Sequence, residues 1–153
     1  MPCQYSDSGN QATTTSANKT ATVLTSVAGL RPRIFEFTIG ADGAPNATDT
    51  SIVFTLQAFT VAGTTTAVTP YPLDVGYQAA KAAAGSNATV EPTYTAGSLF
   101  WGPMGINQRA TYRWVAAPNG LLVLIGTAAN GAGMQCKSAN YGGQTDCVIY
   151  HEE

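Results

Sequence analysis

NQRATYRWVAAPNGLLVLIGTAANG, residues 107–131, decides how the chain folds. Over residues 109–116, Tyr112 and Trp114 fall on one side of an extended chain, and Arg109, Thr111 and Arg113 on the other. Such period-two alternation marks a half-buried strand. Ala117-Pro118-Asn119-Gly120 then supplies a turn. Proline pre-sets φ, and Asn-Gly tolerates the left-handed conformations that reverse a chain. Residues 121–125, LLVLI, form an unbroken apolar run, short enough for a strand covered on both faces. The stretch therefore predicts two strands folded back on each other.

The same alternation recurs outward from this hairpin. Strands are expected over 20–28, 31–40, 50–61, 67–71, 89–95 and 98–106. In the second, Phe35, Phe37 and Ile39 share one face, opposite Ile34, Glu36 and Thr38; in the third, Ile52, Phe54, Leu56 and Ala58 point inward. Residues 134–139 and 145–151 close the chain as a further hairpin, which sets Cys136 opposite Cys147. Only 74–84 suits a helix, capped by Asp74 and ended by Gly85. Residues 1–19 are polar and predict an extended arm, which leaves 20–153 as a single domain. Eight or nine short strands separated by turns predict an all-β fold, a jelly-roll-like antiparallel β-sandwich with at most one short helix.

Composition narrows the function classes. The chain has 153 residues, 44% hydrophobic but only 10% charged, where soluble domains average about 25% charged. Contact surfaces are poor in charge, so a homo-oligomer, trimer or dimer, is expected, with Leu122 and Leu124 at or beside the subunit contact. A net charge of −2, with basic residues paired closely only at Arg31/Arg33 and Arg109/Arg113, gives no footprint for nucleic acid. No apolar run approaches the ~20 residues of a membrane helix, and the N-terminus lacks the pattern of a signal peptide. Cytosolic thiols are normally reduced, so Cys136 and Cys147 are read as packed thiols, although their pairing would let them touch.

No catalytic constellation emerges, and no enzyme activity or cofactor is expected. His151 lies close to the last residue, where fraying is usual. Glu36 and Glu91 sit in expected strands, where salt bridges to Arg109 or Arg113 outweigh a paired-acid site. Gly131-Ala132-Gly133 lacks the strand and helix of a phosphate cradle, and C-x-x-C spacing is absent. Contact residues are better candidates. Trp101, next to Gly102-Pro103, suits an aromatic anchor; Tyr5 is the one large side chain of the arm; Arg109 and Arg113 carry planar forks for carboxylates of a neighbouring strand or partner.

The blocks QYSDSGNQATTT, RPRIFEFTIG, FTLQAFTVAGTTTAVTPYPLD, TVEPTYT and NQRATYRWVAAPNG together resemble small virion proteins of tailed bacteriophages and cyanophages, the capsid decoration or cement proteins. The resemblance implies a structural protein that is assembled in the host cytoplasm and binds the major capsid protein on the outside of the head. There it would lock neighbouring capsomers. The competing expectation is a tail-fibre or baseplate module that binds a cell-surface glycan.

Overall fold

Alternation buries one side of each strand, and it yields twelve strands with no helix across residues 2–153, the part of the chain described by the computed structural model. The strands are β1 (Gln4–Ala12), β2 (Lys19–Thr25), β3 (Arg33–Asp42), β4 (Ser51–Val61), β5 (Thr64–Val68) and β6 (Tyr71–Pro72). They continue as β7 (Ala83–Val90), β8 (Thr93–Asn107), β9 (Tyr112–Val115), β10 (Leu122–Val123), β11 (Gly131–Lys137) and β12 (Gln144–Glu152). All pairings are antiparallel and divide the chain into two six-stranded sheets. The first sheet runs β3, β12, β1, β6, with β9 and β10 both pairing with β3; the second runs β5, β7, β2, β11, β4, β8. Between them lies one apolar layer: Phe37, Ile39, Cys147 and Ile149 from the first sheet meet Leu24, Phe54, Leu56 and Met134 from the second. The β-sandwich expectation holds.

The expected arm is instead part of this architecture. Met1 lies outside the described residues, but Gln4–Ala12 is an inner strand, paired along its whole length with β12 and at Tyr5 and Ser6 with β6. Its inward positions are Tyr5, Asp7, Gly9 and Gln11, only one of them a large apolar group. Polar residues are tolerated there because their bonds are met inside: the Gln11 side-chain amide donates to the carbonyls of Thr20 (3.3 Å) and Ala88 (3.0 Å). Gly9 lets β1 press on the second sheet, since a Cβ there would stand 2.4 Å from the Ala21 carbonyl oxygen.

Three local expectations are corrected. The turn at 117–120 forms, closed by Gly120 N–H donating to Ala117 O at 2.8 Å with Asn119 at φ +63°, but the flanking segments do not pair. β9 and β10 both pair with β3, at Phe37↔Trp114 and Ile34↔Leu122, so β3 replaces the missing hairpin partner. β11 and β12 likewise enter different sheets, so Cys136 and Cys147 approach across the core and not along a ladder. The expected helix is a tight loop at Asp74, whose carboxylate accepts Gly76 N–H (2.9 Å), followed by β7. The run of alanines lacks an apolar helical face, and β7 needs small residues: a Cβ on Gly85 would meet Thr65 Oγ1 at 2.0 Å.

A bulge in β3 changes one face assignment. Tyr150 opposes Glu36 and His151 opposes Ile34, so β3 carries an extra residue; Ile34 turns into the core and Phe35 out, against Tyr150 (6.2 Å between rings). The expected strand 89–95 is interrupted at Glu91-Pro92, between the end of β7 and the start of β8, and 98–106 falls within the long β8, bent at Gly102 (φ +86°).

Because β1 is internal, Tyr5→Ala should cost about 3–5 kcal/mol, and deletion of residues 2–12 should abolish the cooperative transition. Urea unfolding followed by tryptophan fluorescence measures both; an unchanged midpoint after the deletion would contradict this placement.

Candidate functional site

His151 is the most chemically loaded side chain, and it is sealed inside. Its Nδ1 lies 2.8 Å from Asp7 Oδ2 and its Nε2 3.5 Å from Glu153 Oε1, with the imidazole and Asp7 fully buried. Nδ1 and Oδ2 stand at ion-pair distance without hydrogen-bond geometry, a pair that attracts when the imidazole is protonated. Tyr5 stacks on the imidazole at 5.4 Å and donates its hydroxyl proton to Gln78 O at 2.9 Å. Burial drives the His151 pKa down, but Asp7 and Glu153 together outweigh it and hold it above the ordinary histidine value. For Glu153 burial is likewise the largest influence, upward; His151 and the Lys81 and Ala82 backbone N–H groups (2.9 and 2.8 Å) overcome it and lower the carboxyl. Sealed from solvent at His151 and Asp7, the cluster ties β1, β12 and the loop before β7 together. The clue in the sequence was a histidine in alternation with Cys147 and Ile149, which marks an inward position.

The expected contact residues separate into two groups. Tyr5 and Leu124 are buried and form no outer surface; Leu122 is half-buried against the core. Trp101 is no exposed anchor either: it packs edge-on to Phe37 (5.1 Å) and stacks on Tyr112 (5.4 Å), while Trp114 stacks on Phe37 (5.2 Å). These four rings close one end of the core. Arg113 does reach a neighbouring strand and grips Glu36 with both arms of its fork (2.6 and 2.8 Å), which lowers the Glu36 carboxyl pKa. Arg109 belongs to the turn after β8, outside the strand that carries Arg113, and pairs with Asp49 at 2.7 Å. Arg33–Glu152 (3.0 Å) and Lys19–Glu91 (3.7 Å) use further charges.

Of the three cysteines, the buried Cys136 and Cys147 have chemically quiet thiols. All three are free, and burial pushes Cys136 up to about 11 and Cys147 well above its ordinary value. Thr145 donates its hydroxyl proton to Cys136 Sγ at 3.1 Å.

Two surfaces stand out among the described residues. One is the side of the sandwich where β8 borders the second sheet and β9 and β10 border the first, joined by the Trp101–Tyr112 stack. It exposes Leu99, Met104, Val115 and Ile125, and all fifteen residues of β8 are uncharged. The other is a cleft of about 500 Å³ over β1 and β12, walled by β5 and β7. No family model, curated protein or solved structure matches the chain.

The cluster predicts a pH dependence with a definite sign. Because the folded pKa of His151 is raised, its contribution is full below about pH 6.5 and is lost as pH rises through the folded value. His151→Gln should cost about 3–5 kcal/mol by removing the imidazole packed between two buried acidic side chains. Thermal unfolding from pH 5 to 9 should slope downward on the alkaline side for the parent, and His151→Gln should flatten that limb.

Proposed function

We propose that this chain is a structural protein of a phage virion that decorates the head, binding the major capsid protein from outside as a homo-oligomer and tying capsomers together. One observation carries the reading: β8, a fifteen-residue edge strand, has an open side and no charged residue. Free-standing proteins guard such edges with lysine or inward charges because unpaired backbone groups recruit other strands. Here the strand itself exposes Leu99 and Met104, and four of the seven basic residues are already used in ion pairs within the chain. A surface of hydroxyls, amides and scattered apolar groups suits dense packing against another protein shell. Symmetric repetition on a head multiplies a weak contact into firm attachment.

The reading is non-catalytic. Its histidine–carboxylate cluster is enclosed, and among the described residues no group of three His, Cys, Asp or Glu is placed to hold a metal ion. The contact surface moves from the positions expected from sequence to the β8 edge. Trp101 braces the core beside it, while Tyr5 and Leu124 are buried elsewhere in the fold.

Leu99→Lys combined with Met104→Lys places two charges on that edge. Both sites are exposed, so the unfolding free energy should shift by no more than about 0.5 kcal/mol each, while attachment to heads is lost. Cosedimentation with undecorated particles, viewed by negative stain, is the measurement; normal decoration by the double variant would remove the β8 edge from the contact.

A further inference from the structure

We propose that the cleft over β1 and β12 binds a neutral saccharide, with Asn10, Asn87 and Asp146 supplying the hydrogen bonds. The cleft sits on rigid strands. Its floor is the outward side of β1 and β12, where the register sets Ser8 beside Val148 and Asn10 beside Asp146. Its wall is β5 and β7, which present Thr66, Val68, Ser86 and Asn87. Floor and wall are joined: the Asn10 backbone N–H donates to Ser86 Oγ at 3.0 Å. Gly9 and Gly85 let the strands beneath approach too closely for any Cβ. The shape is therefore built before a ligand arrives, which limits the ordering cost of binding.

The chemistry of the lining selects the ligand. Among the described residues, the side chains of Asn10, Asn87 and Asp146 make no hydrogen bond within the protein, although they converge on one concavity. Elsewhere the chain uses such groups internally, as at Gln11 and Gln108. Partial burial, with Asp42 nearby, raises the Asp146 pKa, so its oxygens gain from a hydroxyl donor. Amides both donate and accept, and a carboxylate accepts, which matches the vicinal hydroxyls of a sugar. Val68 and Val148 offer apolar patches for its C–H faces. No Lys, Arg or His lines the cleft, which disfavours a phosphate or carboxylate ligand, and a single carboxylate is too few for a divalent cation. The volume falls within the range of small-molecule sites, about 300–1,000 Å³. Two rows away along the same sheet face, the exposed Tyr71 stands opposite Ser6 and Ser6 opposite Tyr150, so a longer chain would meet aromatic rings beyond the cleft.

The site asks nothing of shell attachment. A chain that binds sugar without decorating heads, and one that decorates heads without binding sugar, are separate results. The test is residue-resolved amide NMR of the full chain titrated with cellobiose, maltose and lactose, and separately with cadaverine as a cationic probe. At least one disaccharide should shift amides of residues 8–10, 86–87 and 146–148. Asn10→Ala and Asn87→Gly, the latter retaining the left-handed backbone (φ +54°), should each weaken that binding about tenfold. The parent titration stands alone if a variant fails to fold. Four results would overturn the proposal: no shift up to about 50 mM, beyond weak millimolar binding; shifts elsewhere only; shifts that survive both substitutions; or a response to cadaverine alone, which would mark an ammonium site.

Discussion

Charge attraction inside the sandwich, between His151 and the carboxylates of Asp7 and Glu153, holds the two ends of the chain together. Taking three ionisable groups out of water is costly, and a fully buried pair persists only with close geometry. Here that geometry comes from the β1–β12 ladder, nine residue pairs long, which brings Asp7 and His151 onto the same inward face. Cys3 and Glu153 exchange backbone hydrogen bonds beyond the last pair (3.3 and 2.9 Å) and close the corner. Removing this cluster would deprive the first sheet of the specific reason for β1 to occupy a position with so little apolar surface.

The outer surfaces follow from that arrangement. With β1 inside the first sheet, its outward residues Ser8 and Asn10 become the floor of the cleft, and β7 can reach over to Asn10. At the opposite side, Phe37, Trp101, Tyr112 and Trp114 fill the gap between the sheets, which leaves β8 exposed along its edge but firmly based. The molecule thus offers a small polar hollow on one flank and an uncharged strand on the other.

Strands with strong alternation were legible: β2, β3, β4 and β12 fall close to their expected bounds, as does the inward set Ile52, Phe54 and Leu56. β1 was not, because Asp7, Gly9 and Gln11 occupy its inward positions and low hydrophobicity reads as an arm. What decides its place is β12, at the far end of the sequence, and no local pattern encodes that. Pairing of β9 and β10 was misassigned for a related reason. The turn chemistry at 117–120 was right, but proximity in sequence does not dictate which strand completes the ladder. Ala58 shows a smaller version: alternation placed it inward, yet Phe59, on the other face, is the more buried because Tyr94 covers it. The cleft had no legible signal, since Asn10, Asn87 and Asp146 meet only through the fold.

The antiparallel meeting of β1 with β12 also determines how the protein answers mechanical load. β1 begins where β12 finishes, so tension applied at Cys3 and Glu153 acts on Gln4↔Glu152 first and opens the ladder one pair at a time, as a zipper opens. Each pair breaks before the next is strained, and little force is needed. Tension entering through β8 meets a different geometry: β8 lies along β4 from Ser51↔Asn107 to Val61↔Thr93, and a pull along the strand loads those bonds together, in shear. The same fold would resist strain through its β8 edge and yield to strain between Cys3 and Glu153.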